Sequence, residues 1–215
     1  MGRREEKSEA TRDRLLQAGE DLFAEKGYHG AGLKEILARA ATPKGSFYNF
    51  FSSKEDFAVQ VAVRHGLAIA DAFERHFAES DAPPLEILRS AHQAMLAQYE
   101  ASQCARTCIT ARLALEAGGD GDGGLQAPLQ RLAASWLSRL TGLIASAQAE
   151  GDARDDIPAA DLAALFWQAW EGALIHMKLT GDSRPGRRSL ELLIDTVLAA
   201  PDAKRAAKKT TVPAP

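Results

Sequence analysis

Two cysteines, Cys104 and Cys108, are the chain's whole stock of thiols, too few for a disulfide framework. No apolar stretch follows the charged start MGRREEKSEATRDR, so no secretory signal is read there, and the protein is expected to be cytoplasmic with reduced thiols. A run of about 18 uninterrupted apolar residues is missing, which argues against a transmembrane helix. The Met-Gly start meets Glu6 where myristoylation wants Ser or Thr. His29, His65, His76, His92 and His176 show no metal-ligand spacing with the cysteines. No Gly-rich phosphate loop, nucleophile elbow or HExxH occurs. Metal, cofactor and enzymatic turnover are therefore not expected. GGDGDGG, at 118–124, carries aspartates, but it lacks the roughly twelve-residue spacing and distal Glu of a calcium loop. Alternating β-branched runs are absent as well, which leaves helices as the building material.

The net charge of −3 is unevenly spread. Residues 1–65 hold 11 Lys and Arg against 10 Asp and Glu, residues 66–200 hold 11 against 18, and the last fifteen hold 4 against 1. An acidic middle disfavours nucleic acid lying across the whole surface, while both ends stay compatible with it.

Helix periodicity runs through the rest. A first helix is expected from about Ser8 or Thr11, with Leu15, Leu16, Ala18, Leu22 and Phe23 as its apolar stripe and Gly27 as its end. Leu33, Ile36, Leu37 and Ala40 repeat at i, i+3, i+4, i+7 and predict a short second helix. Pro43 breaks it and suits the first turn of a third, spanning about 43–50. SSKE opens a fourth that reaches about residue 78, with Ser52 or Ser53 capping and Glu55 or Asp56 answering. Further helices are expected at about 84–101, 104–117, 125–150, 158–180 and 186–199. In the 104–117 segment, Cys104 and Cys108 fall at i, i+4 on one helical face. The tail from Pro201 has no apolar face and reads as disordered. The expected fold is all-α with about nine helices: a helix-turn-helix domain over 1–53, a helical sensing and dimerisation domain over 54–200, and a basic tail over 201–215.

TPKGSFYNFFSSKEDF, at 42–57, sets small and polar residues directly before four aromatics. A recognition helix needs small or polar residues at its N-terminus so that the backbone can approach a major groove. Thr42, Lys44, Gly45 and Ser46 meet that need, and Lys44 adds charge where helix amides already favour phosphate. Phe47 and Phe51 can anchor so short a helix, leaving Tyr48 and Asn49 to face DNA and Lys54 to grip a flanking phosphate.

The stretch TRDRLLQAGEDLFAEKGYHGAGLKEILARAATPKGSFYNFFSSKEDF resembles the N-terminal DNA-binding domain of the TetR family of transcriptional regulators. LFAEKGY, PKGSFYNFF and SKEDF carry most of the resemblance. It implies an all-helical homodimer that binds a palindromic operator on double-stranded DNA, most often as a repressor, and releases it when an inducer binds. By position it implies that Lys44, Gly45, Ser46 and Tyr48 approach the DNA, with Thr42, Pro43 and Asn49 beside them and Lys54 on a phosphate. The family often has Thr-Ser where this chain has Ala31-Gly32, and Gly-Val where it has Ala41-Thr42. A helical small-molecule-binding protein with a vestigial DNA-binding unit is the alternative.

In FWQAWEGALIHMKLTGD, at 166–182, Trp167, Glu171 and Lys178 share a helical stripe beside Trp170. Such polar groups among tryptophans suit a largely apolar binding pocket, or Lys178 simply reaches solvent from a last turn. RTCITARLALEAG with WEGALIHMKL resembles the TetR branch that includes electrophile- and quinone-sensing and acrylate-responsive repressors. That resemblance implies a reactive Cys108, an acidic partner in Glu116 and a nearby lysine in Lys178; the bland reading makes Cys108 a small buried hydrophobe.

Overall fold

The computed structural model describes residues 2–78, 81–117 and 124–201, with the side chains of residues 3, 4, 76–78 and 117 also left aside. The proposed loop at 118–124 and the tail at 201–215 fall almost wholly outside them. Nine α-helices occur among the described residues: α1 (Arg3–Gly30), α2 (Leu33–Arg39), α3 (Lys44–Phe47), α4 (Lys54–Ala78), α5 (Pro84–Ala101), α6 (Ile109–Ala117), α7 (Gln126–Ala149), α8 (Ala159–Thr180) and α9 (Arg184–Leu192). A π-helical stretch, Leu193–Leu198, continues α9. None of the described helices is long and apolar enough to cross a membrane.

Two compact units divide the chain, and the division does not fall at residue 53. The first comprises Met1–Ala70 and Ala105–Ala133, the second Asp71–Cys104 and Ala134–Pro215.

In the first unit the four-residue α3 is too short to hold itself, since a helix of that length has barely paid for its nucleus. Phe47 and Phe51, almost fully buried, hold it instead. Their rings lie 5.3 and 4.8 Å from that of Phe57 on α4, which in turn stands 5.8 Å from Phe23 on α1. Each such burial contributes roughly 1.5–3 kcal/mol. Ile109 and Leu113 of α6 join the same core. The head of α4 is capped as its sequence predicts: Ser53 Oγ accepts the Asp56 N–H at 3.1 Å, and the Asp56 carboxylate accepts the Ser52 N–H at 2.8 Å.

The turn between α2 and α3 takes up a backbone conformation that suits glycine. Ala41 adopts φ 47°, while the Ala41 and Thr42 amides bond back to the carbonyls of Ala38 and Leu37. A Cβ in the left-handed region costs roughly 1–2 kcal/mol. Ala41→Gly is therefore expected to raise the melting temperature by about 1–4 °C once the looser unfolded chain is allowed for, as calorimetry would show.

In the second unit Leu88, Leu96, Leu140, Ile144, Phe166, Trp170, Met177, Leu190 and Leu198 are buried. The chain reverses after α5 through two consecutive left-handed residues, Gln103 (φ 54°) and Cys104 (φ 58°). Residues 105–108 form no regular structure and α6 starts only at Ile109, so Cys104 and Cys108 do not share a helix. This corrects the helical expectation: the reversal uses non-glycine residues and so leaves no glycine in the sequence to mark it. Gly181, at φ 66°, closes α8 as expected.

Candidate functional site

Around α3 the side chains sort by burial. Pro43, Lys44, Gly45 and Asn49 are exposed, Ser46 is half-buried, and Tyr48 is 56% exposed despite its size. An exposed ring at the end of so short a helix, beside an exposed cation, has an apolar face and a hydroxyl to offer a ligand. Thr42 departs from the expectation. It is 8% exposed, and its hydroxyl donates to the Ala40 carbonyl at 3.0 Å. The turn that bonds its amide to Leu37 draws it under the end of α2, so Thr42 shapes the turn and its side chain does not present to a groove.

Lys54 is also engaged. Its Nζ donates to the Tyr28 carbonyl at 2.6 Å and stands 4.4 Å from the centre of the Tyr28 ring. Burial pushes the ammonium below the usual lysine range. The Tyr28 hydroxyl donates to Glu55 Oε1 at 2.5 Å, which holds the Glu55 carboxyl below its ordinary value. Burial, reinforced by that same bond, pushes the Tyr28 hydroxyl up. The head of α4 is thus fastened to the end of α1.

α6 fastens the same place. Glu116 accepts the His29 N–H at 3.1 Å and the Arg112 Nε–H at 2.9 Å, and His29 Nε2 donates to the Glu116 carbonyl at 2.9 Å. Burial works against ionisation of Glu116, but the His29 amide and the Arg112 guanidinium outweigh it and hold its carboxyl low. What makes room is Gly27, at φ 77° and ψ −176°, where the helical run of α1 breaks. Glu116, expected beside a sensing thiol, is occupied by this clasp.

Cys108 belongs to the first unit and is half-buried. Its carbonyl accepts the Arg112 N–H at 3.0 Å, so it stands at the N-terminal end of α6, where helix amides favour an anion. Cys104, in the second unit, is buried, and burial, with Glu100 and Asp182 near, pushes its thiol up.

On α8, Trp167 Nε1–H donates to Glu171 Oε1 at 3.2 Å, both side chains half-buried, and Lys178 is half-buried in the last turn. Trp170, on the neighbouring face, joins an aromatic group around His92, a residue that sequence reasoning considered only as a metal ligand. The His92 ring stands 4.7 Å from Phe166, 4.9 Å from Trp170 and 6.2 Å from Trp136. The spacing of Leu85, Leu88, His92 and Leu96 on α5 was the available signal, since it puts His92 on the buried stripe.

Burial lowers the His92 pKa to about 4. Its ordinary value being near 6.5, the unfolded chain takes up a proton that the folded one refuses between those limits. The stabilisation is complete above about pH 6.5 and declines as pH falls towards 4. Urea unfolding from pH 7 to pH 4 is expected to cost wild type about 3 kcal/mol more than a His92→Phe variant; equal slopes would contradict the burial.

A family model for the bacterial regulatory proteins of the tetR family matches residues 15–61. A second, for the tetracyclin repressor-like C-terminal domain, matches residues 84–193, just over half of the chain. The chain belongs to the TetR family. Among relatives of this TetR regulator, the transcriptional regulator AcuR of Cereibacter sphaeroides is 33% identical over 165 residues, covering 77% of this chain and 75% of that one. The regulatory protein TetR from Rhodobacter sphaeroides superposes with a TM-score of 0.80 at 30% identity, over 85% of this chain and 96% of its own. The reduced form of Escherichia coli NemR gives a TM-score of 0.78 at 25% identity, over 89% and 98%. These relatives lie in the branch to which the segment around Cys108 pointed. The TetR regulator is all-α, with its helix-turn-helix at the N-terminus, and its role is DNA-binding transcriptional regulation.

Proposed function

We propose that this chain is a homodimeric repressor that leaves a palindromic operator when a small molecule, electrophile or oxidant reaches it. Residues 1–53 read the DNA, and residues 54–200 sense and dimerise. Lys44, Gly45, Ser46, Tyr48 and Asn49, with Pro43, face the major groove. Lys54 reaches a phosphate on exchanging its bond to the Tyr28 carbonyl. The observation that carries the reading is the pairing of an exposed Lys44-Gly45-Tyr48 surface with a core of Phe47 and Phe51 that holds α3 rigid.

Dimerisation is supported by α8. Leu165, Ile175 and Leu179 are 46%, 53% and 79% exposed. With Gln168 and Gly172, also exposed, they recur at alternating steps of three and four, the seam that helices present to one another.

Cys108 is proposed as the reactive thiol. It is more accessible than Cys104 and stands at a helix N-terminus, where a thiolate is favoured. The NemR relative was solved in a form named as reduced, which is in keeping with thiol chemistry. Trp167, Glu171 and Lys178 are proposed as polar contacts for a reversible ligand in the second unit.

A gel shift of reduced protein on the DNA upstream of its own gene, with and without quinone or hypochlorite, tests the whole reading. Binding is expected, with loss on treatment and recovery on adding thiol. Cys108→Ser is expected to abolish the loss, and Cys104→Ser to preserve it. Release that persists in Cys108→Ser would remove this cysteine from the mechanism. No specific DNA in a genome-wide screen would favour a small-molecule-binding protein with a vestigial DNA-binding unit.

A further inference from the structure

A line of hydrogen bonds runs from α1 to the exit of α3. Arg12 Nη2 donates to Gln60 Oε1 at 2.6 Å, and Gln60 Nε2 donates to Asp56 Oδ1 at 2.8 Å. The other oxygen of Asp56 accepts the Ser52 N–H at 2.8 Å and the Ser52 hydroxyl at 3.0 Å. The Arg12 guanidinium also stands 6.0 Å from the centre of the Phe51 ring. Polarity dictates the direction of the line: turning the Gln60 amide over would set its NH2 against the guanidinium and its oxygen against the carboxylate. The Gln60 bond, with those from Ser52, holds the Asp56 carboxyl below its ordinary range. A capped α4 needs only the serines and Asp56. Gln60 and Arg12, both half-buried, add a tie from that cap to α1.

We propose that Arg12 and Gln60 are positioning residues for DNA reading: through Asp56 and Ser52 they set the angle at which Tyr48 and Asn49 meet base edges. The proposal rests on the reading of α3 as the helix in the groove, and it adds which residues behind that surface govern sequence discrimination. Phe47 and Phe51 flank Tyr48 and Asn49 and are buried. Their burial fixes how deep the segment sits, but an apolar contact is non-directional and does little to fix rotation. Hydrogen bonds weaken steeply as they bend, so the hold on Ser52 resists a turn of the residues before it. α3 itself has only four residues, and so short a helix supplies little constraint of its own. Base edges demand matched donors and acceptors, whereas phosphate contacts carry no sequence information. A rotated α3 therefore loses discrimination before it loses affinity.

Selection from a randomised duplex library with the full-length protein yields its preferred sequence, and fluorescence anisotropy then compares that duplex with a scrambled one. In Gln60→Leu the preference is expected to fall about tenfold, with scrambled-duplex affinity and salt slope unchanged. Gln60→Glu sets carboxylate against carboxylate, and Asp56→Asn leaves two donors facing each other somewhere along the line; each is expected to lose the preference likewise. The two exchanges together restore a donor opposite every acceptor and are expected to recover most of it, which a mere sum of two destabilised variants would not. Arg12→Met cuts only the outermost link and leaves the cap of α4 intact, so it keeps the test decisive where Gln60→Leu does not fold; about a threefold loss is expected. Full preference in Gln60→Leu or Arg12→Met, a double exchange no better than its parts, or equal loss on both duplexes overturns the proposal. A shallower salt slope in Arg12→Met would make Arg12 a phosphate contact and overturn it too. A wild-type protein that selects no sequence would defeat the reading of α3 itself. One that selects a sequence that Gln60→Leu reads equally well would defeat this proposal alone.

Discussion

Gly27→Ala is expected to destabilise the first unit by roughly 3 kcal/mol or more, which corresponds to about 6–12 °C in melting temperature. Two causes act together. The backbone at φ 77° and ψ −176° is open to glycine almost alone. An added methyl would also stand 2.5 Å from Arg112 Nε and from the Glu116 carboxyl carbon. The clash displaces the carboxylate that accepts the His29 N–H, so the break in α1 loses its tie to α6 while it acquires strain. Differential scanning calorimetry decides it. A variant melting within about 2 °C of wild type would mean that the kink can reorganise, and Glu116 would no longer be a fixed point.

Gly45→Glu is expected to leave the melting temperature unchanged and to weaken operator binding by about 100-fold, roughly 2.7 kcal/mol. A Cβ at Gly45 meets no heavy atom within 4 Å, so the free protein has room for the side chain. If α3 faces the groove as proposed, the same space belongs to DNA, and a carboxylate there opposes phosphates at close range. Lys44→Ala provides the complementary measure: the salt dependence of binding should shallow by about one unit of slope. Wild-type affinity in Gly45→Glu, measured by fluorescence anisotropy, would remove α3 from the DNA-facing surface.

Much of the fold could be read from punctuation. Ser53 and Asp56 mark the head of α4, Pro84 opens α5, and Gly181 closes α8 where those residues predict. The features that escaped are those written in residues of another usual meaning. Gln103 and Cys104 make a left-handed turn without glycine, so the helix of Ile109–Ala117 was expected to begin at Cys104 and to carry both cysteines on one face. α1 begins at Arg3, five residues or more ahead of the start expected at Ser8 or Thr11, and the side chains of residues 5–10 are exposed, with no buried face to announce it. On the recognition helix the burial of Phe47 and Phe51 and the exposure of Tyr48 followed from spacing alone. Thr42, Lys54 and Glu116 have their partners far along the chain or in a turn, and periodicity carries no information about those. His92 lay on a readable stripe, but its surroundings are rings from two other helices, α7 and α8, which its own spacing does not announce.

Leu113 and Leu129 pack into the same core as Phe23 and Phe57. A chain emerging from the ribosome therefore cannot complete the unit that carries its helix-turn-helix when residue 70 appears. It must wait until the segment through residue 133 has been made, after an intervening stretch that belongs to the other half. Long-separated contacts of this kind slow folding. A nascent regulator is accordingly unready to occupy its operator until most of it has been synthesised, and truncated translation products lack a finished reading head with which to compete for the site.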